Sequence, residues 1–141
     1  MQATWKDDAL TLAASGIVAF SIADVAHEAL GHGLATLAVG GQPVLLTTSY
    51  FSSSGSLSRW IPAGGGIANL IVGGLFIMAL HMLRAASQHV RYFLVLGAAF
   101  NLLFATAYPL YSGIDAFGDW AAVISGLSPI WLWRVLLVCL A

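Results

Sequence analysis

Charge is the scarcest property of this chain: Asp, Glu, Lys and Arg make up 8% of its 141 residues, against about a quarter in an ordinary soluble domain. A normal water-exposed surface is thereby excluded. With five basic residues and a formal net charge of -1, the chain has no basic face for a phosphate backbone, so a nucleic-acid partner is excluded too. Cysteine is represented by Cys139 alone, which rules out an internal disulfide and any metal cluster built on several thiolates. The first eight residues lack the basic start and small-residue cleavage site of a signal peptide, so the first apolar stretch is expected to stay in the mature protein.

What is there is apolar. Hydrophobic residues make up 60% of the sequence and mean hydropathy is +0.90, the composition of an integral membrane protein embedded in a lipid bilayer. At about 20 residues per crossing, the expected fold is an all-α membrane protein with about four transmembrane helices, forming a single domain over residues 1–141. The first apolar segment covers residues 9–39 and ends at Gly40-Gly41, a helix stop signal. Residues 43–51 are β-prone, residues 52–56 read as a turn and residues 57–60 as a returning strand, so a short membrane-associated β-hairpin is expected after the first helix. Further spans are expected over residues 61–83 and 92–111, with a basic loop at 84–91 between them. After a polar break at 112–119, a last apolar segment over 120–141 is interrupted by Pro129. It runs out in apolar sequence without a polar tail, which reads as a truncation.

Ionisable side chains inside such segments are costly and concentrate at functional sites. His27-Glu28-Ala29-Leu30-Gly31-His32 places two imidazoles and a carboxylate close together in the first segment. Zinc hydrolases present two His from one helix face and use the Glu after the first as general base towards water. Their usual His-Glu-x-x-His spacing separates the two side chains by about 40° around a helix, whereas the spacing here separates them by about 140°. Shared coordination therefore requires a π-type bulge between Glu28 and Gly33. Gly31 is placed to absorb the extra residue.

Depth along the helices gives an independent indication. At 1.5 Å per residue, His27 and His32 lie roughly 27 to 35 Å along the first helix, towards its far end. The chain crosses back twice before Asp115 and Asp119, which brings both to that same side, and Asn69, about 12 Å into the second span, reaches the depth of His32. Of the six acidic residues, Asp24, Glu28, Asp115 and Asp119 thus gather around one place. A catalytic zinc site takes three protein ligands and keeps one position open, so His27 and His32 require a third. Asp119, which opens the last apolar segment, is the first candidate and Asp115 the alternative; either also fits as a helix N-cap. Asp24, three residues before His27, is a candidate acceptor for that ring's other N–H. Asn69 and Asn101 are candidates for hydrogen bonds to substrate or to a developing oxyanion, or else for bonds between helices. His81 and His89 fall near the opposite face and read as interfacial.

Glu28-Ala29-Leu30-Gly31-His32-Gly33-Leu34-Ala35 is followed by the Gly-Gly turn, the β-prone stretch, Ala63-Gly64-Gly65-Gly66-Ile67-Ala68-Asn69-Leu70 and an Asp late in the chain. In this order of features the sequence resembles the site-2 protease family of intramembrane zinc metalloproteases over residues 24–120. It departs from that family in the longer His spacing and in Asp settings of Gly-Ile-Asp-Ala and Gly-Asp-Trp instead of Leu-Asp-Gly. The longer His-Glu-x-x-Gly-His pattern is similar to that of the dipeptidyl peptidase III family, soluble zinc peptidases. The resemblance implies Zn2+ held by His27, His32 and an Asp, with Glu28 taking a proton from water and passing it to the leaving amine. It implies as substrate a membrane protein or peptide. An unwound, extended substrate is expected to pair with the edge of the hairpin over residues 43–60, which supplies the backbone hydrogen bonds that hydrocarbon does not.

The same buried charges also fit a non-enzymatic transporter or channel, although ion passage needs no Glu directly after a His. A haem-binding bundle fits poorly, because axial ligands come from facing helices and not from one. Lys6, Arg84 and Arg91 fall on one side of this layout and Arg59 on the other. The positive-inside rule then predicts a multi-pass protein of a bacterial-type inner membrane with a cytoplasmic N-terminus and a site opening towards the other face. Nothing in the sequence specifies an oligomer.

Overall fold

Backbone groups in hydrocarbon have no water to bond to, and a helix satisfies them within one segment. In the computed structural model, which describes residues 9–141, three helices are long and apolar enough to cross a membrane: Ala9–Ala38 with 30 residues, Trp60–Met82 with 23 and Gln88–Asp115 with 28. Residues 1–8, on which the readings of Lys6 and of the signal peptide fall, lie outside the described residues. The first long helix is composite, formed by α1 (Ala9–Val25), a π-helical segment (Ala26–Gly33) and α2 (Leu34–Ala38). The other two are α3 (Trp60–Met82) and α4 (Gln88–Asp115).

Among the described residues three helices reach spanning length where about four were expected. The last apolar stretch divides into α5 (Asp119–Ile124) and α6 (Ile130–Leu140). The 11 residues of α6 reach about 16 Å, roughly half of a hydrocarbon core. The division has a local cause: Gly126 takes a left-handed conformation with φ 74°, and Pro129 has no N–H with which to continue a helix from before it.

The stop expected at Gly40-Gly41 is a Schellman motif. Gly40 has φ 75°, its N–H donates to Leu37 O at 3.1 Å, and the Gly41 N–H donates to Thr36 O at 2.9 Å, which is the paired closure of the last helical carbonyls. The hairpin then forms from β1 (Gln42–Leu46) and β2 (Phe51–Ser54), antiparallel, with Leu46 opposite Phe51 and an irregularity between Pro43 and Leu45. Its turn is earlier than the sequence suggests. Thr47 Oγ1 accepts the Ser49 N–H at 3.3 Å and Thr47 N–H donates to Tyr50 O at 2.9 Å. That local side-chain capture closes the chain at residues 47–50, so the returning strand is Phe51–Ser54 and residues 57–60 are not a strand.

In the packing, α3 lies between the first helix and α4, and α4 also contacts α1 and α6. The interior is made of small and polar residues: Ala19, Ala23, Thr36, Asn69, Asn101 and Ser112 are fully buried. Large apolar side chains such as Ile17, Leu70, Leu75 and Leu103 point outwards, the arrangement expected where the surroundings are lipid and helices associate through close backbone approach. Gly31 shows that approach most directly, since a Cβ there would stand 2.5 Å from Gly65 Cα and 2.7 Å from Gly64 O, whereas one on Gly16 would meet nothing within 4 Å. Gly31→Ala is therefore expected to destabilise the folded protein by about 1–3 kcal/mol, and Gly16→Ala not at all. Thermal unfolding followed by circular dichroism in detergent checks this, and equal melting of the two variants would refute the contact.

Candidate metal centre

The π-helical segment is what makes one site out of the two histidines. Hydrogen bonding from i to i+5 places residues five apart above one another, and the ring centroids of His27 and His32 lie 4.8 Å apart with planes at 89°. The bulge expected between Glu28 and Gly33 is present and extends over Ala26–Gly33. Gly31 lies within the bulge and has a second role there. That role is clearance for α3, against which it is packed too tightly for any side chain. Gly65 does the same for the site itself, because a Cβ there would stand 2.5 Å from both Cε1 and Nε2 of His27.

The outer nitrogens of both rings are committed to acceptors. His27 Nδ1 bonds to Asn69 Oδ1 at 2.7 Å and His32 Nδ1 to the backbone carbonyl of Ile61 at 2.7 Å. The orientation of the Asn69 amide follows from its other bonds: Nδ2 donates to Ala23 O and to Asn101 Oδ1, both at 2.9 Å, while Asn101 Nδ2 donates to Gly97 O at 2.8 Å. Both carbonyls are acceptors only, so Asn69 offers His27 an oxygen and the proton sits on His27 Nδ1. Asn69 and Asn101 are thus interhelical partners, the second of the two roles open to them from sequence. The place considered for Asp24 is taken by Asn69, and Asp24 is half-buried beside the site.

With Nδ1 protonated, each ring turns the lone pair of Nε2 inwards, and both face one carboxylate oxygen. Asp119 Oδ2 lies 2.8 Å from His27 Nε2 and 3.4 Å from His32 Nε2. Three lone-pair-bearing atoms do not converge in this way unless a positive charge lies among them, either protons or a metal ion. In the metal-free site, burial raises the Asp119 carboxyl, but hydrogen bonds from His27 and His32 in their protonated forms, and the charge those rings then carry, lower it to about 2. Glu28 joins the group: ligand-type atoms of His27, Glu28 and His32 all lie within 4.8 Å of one another. His27, Glu28 and His32 are buried, whereas Asp119 keeps 23% side-chain exposure. On that side a cavity of about 250 Å3 opens, lined among others by His32, Asp119, Phe51, Ser52, Ser53 and Pro62.

Asp115, the alternative third ligand, is not brought to the histidines. It ends α4, is exposed, and is followed by Ala116 with φ 55°, which turns the chain away. Gly118 is the N-cap of α5, without side-chain capping, so the Asp119 carboxylate is not spent on the helix end. His81 and His89 lie at the far ends of α3 and α4, away from the site as expected. Sequence reasoning missed Tyr108 on α4, whose ring stands 4.8 Å from that of His27. It also missed Phe51, stacked at 5.8 Å on His32, and the Ile61 carbonyl. Tyr108 had a legible signal, seven residues after Asn101 and so two turns along one face; a backbone carbonyl leaves no mark in sequence.

Comparison with protein families, with curated proteins and with solved structures finds no match. The assignment therefore rests on the geometry. One zinc ion per chain is expected in purified protein by elemental analysis, lost in His27→Ala and in His32→Ala. Asp119→Asn is expected to weaken zinc binding far more than Asp115→Asn; the reverse order would move the third ligand to Asp115. Asn69→Ala, which leaves the ligands in place but frees the His27 ring, should cost about 10–100-fold in zinc affinity, and an unchanged affinity would remove Asn69 from the site's support.

Proposed function

We propose that this protein is an intramembrane zinc-dependent peptidase, a divergent relative of the site-2 proteases, that hydrolyses a peptide bond in a membrane protein or membrane-bound peptide. The observation that carries the reading is the convergence of His27 Nε2, His32 Nε2 and Asp119 Oδ2 with the Glu28 carboxylate alongside. The donor set fits zinc in kind. Two imidazoles and one carboxylate are a ligand set of hydrolytic zinc sites with one position left for water or substrate, and metal-ligating histidines carry an acceptor on their other nitrogen, as both do here. His27, His32 and Asp119 are the residues that would hold the ion, which when bound supplies Lewis acidity towards a scissile carbonyl and lowers the pKa of water.

The rest is work for the chain's own groups. Glu28 accepts a proton from the attacking water as its oxygen adds to the carbonyl carbon and the carbonyl π pair moves onto oxygen. When the C–N bond breaks, Glu28 returns that proton to the leaving nitrogen. Asn69, held by Ala23 and Asn101, keeps His27 in the tautomer that presents Nε2. An extended substrate adds beside Phe51–Ser54, where Ser52 and Ser53 line the cavity, so that its backbone groups are bonded at a depth where water is scarce. The three long helices cross the bilayer as a multi-pass protein. Arg84 and Arg91 lie at the opposite end from the site and mark the cytoplasmic side of an inner-membrane-type bilayer.

Glu28→Gln preserves shape and removes the base. Reconstituted in vesicles with a transmembrane peptide substrate, it is expected to keep its zinc and to lose cleavage by about 10²–10⁴-fold. Cleavage at the wild-type rate would take Glu28 out of the mechanism, and cleavage by the wild type after zinc removal would take the metal out.

A further inference from the structure

A carbonyl oxygen that becomes negative during hydrolysis needs a hydrogen-bond donor, and the side-chain amides nearest His27 are already committed. The Asn69 and Asn101 amides bond to each other and to backbone carbonyls. Arg59 donates to Ser125 O at 2.8 Å, and Arg134 donates to Gly113 O at 2.8 Å and to Ile114 O. Arg84 and Arg91 are at the far end of the helices, with Arg91 donating to Arg84 O at 3.0 Å.

Tyr108 is different. Its ring is fixed on two sides, at 4.8 Å from the His27 ring and inclined by 38°, and stacked on Phe104 at 5.8 Å. Its hydroxyl makes no hydrogen bond to any described residue. The imidazole beside it is the one whose Nε2 lies 2.8 Å from Asp119 Oδ2. A phenol O–H held beside the candidate ligand His27 has no acceptor among the described residues and suits one that arrives with the substrate.

We infer that Tyr108 is a catalytic residue whose O–H donates to the oxyanion of the tetrahedral intermediate, an inference that rests on the peptidase reading above. As the water oxygen bonds to the carbonyl carbon, the π pair settles on the carbonyl oxygen and the Tyr108 O–H bonds to it without giving up its proton. The pair returns to re-form the carbonyl as the C–N bond breaks, and Tyr108 ends as it began. Such a donor is worth most when it is preorganised towards the developing charge and shielded from water, and the ring contacts with His27 and Phe104 provide that fixation.

The test compares wild type with Tyr108→Phe, which keeps the ring and its contacts and loses only the hydroxyl. Both proteins, loaded with zinc in detergent, are titrated calorimetrically with two probes. One is a phosphinic dipeptide analogue of leucyl-leucine, whose tetrahedral phosphinate oxygens imitate the oxyanion. The other is a leucine-derived thiol, which needs only the ion. Tyr108→Phe is expected to hold the same amount of zinc, to bind the thiol as the wild type does, and to bind the phosphinate about 10²–10³-fold more weakly. Equal phosphinate affinity in the two proteins would overturn the donor role while leaving the peptidase reading intact. Loss of zinc or of thiol binding in the variant would overturn it as well, because the hydroxyl would then act through the ligands. A wild type that binds neither zinc nor thiol would overturn the peptidase reading itself, and the inference with it.

Discussion

The hydrogen bond from His27 Nδ1 to Asn69 Oδ1 at 2.7 Å is the constraint on which the site depends. It joins the first helix to α3, and Asn69 carries it on to α1 through Ala23 O and to α4 through Asn101. One fully buried amide therefore registers all three long helices at one depth. In surroundings without water, an unbonded amide group costs several kcal/mol, so any sliding of one helix would strand several polar groups at once. The same bond decides which nitrogen of His27 faces inwards. Helix register and site chemistry are consequences of one interaction.

Around this bond the interior has two parts built on opposite principles. On the α3 side, Gly31, Gly64 and Gly65 remove side chains so that backbones and the His27 ring meet directly, and position is set by contact. On the other side Asp119 begins the short helix α5, set between the left-handed residues Ala116 and Gly118 before it and Gly126 after it. Polar attachments help to set its position, the two imidazoles on one side and the bond from Arg59 to Ser125 O at the far end of α5, together with Trp120 packed on Gly66 and the buried Ile124. Both histidines are thus held by the rigid part, and the third member of the group comes from the part with the sharper turns.

Much of this was legible in the sequence, and the failures have identifiable causes. Uninterrupted apolar runs mark the three long helices because in lipid the signal is length and hydrophobicity, which do not depend on tertiary partners. The His27 to His32 spacing announced the π segment because coordination by both rings is incompatible with a 3.6-residue turn. The hairpin was legible but its turn was not: Thr47 and Thr48 favour strands by propensity, and only the side-chain bond of Thr47 to the Ser49 N–H shows that they turn instead. Asp24 was assigned to His27 by regular-helix spacing. It lies in α1, however, while His27 lies in the wider π segment, and the partner came from another helix. Three of the expected spans are present at full length; in the last apolar stretch hydropathy alone does not register the turn at Gly126 and Pro129 that divides it. Asp119 ranked before Asp115 only through its place at the head of the last apolar segment, and the left-handed Ala116 between them is what separates them in space.

The union of His27 with Asp119 closes a loop of chain, since the two are separated by 92 positions. The loop contains the hairpin, α3 and α4. Closing a loop of that length carries a chain-entropy cost that grows only with the logarithm of its length, and it is met once, when these helices assemble. A cation bound among the three side chains then acts as a removable staple between the beginning and the end of the described chain. Occupied at a concentration about 1,000 times its dissociation constant, such a staple would add about 4 kcal/mol to the folded state. With such an ion bound, folding and the charged centre would be thermodynamically one object: whatever emptied the centre would also loosen the bundle, and whatever parted the helices would release the ion.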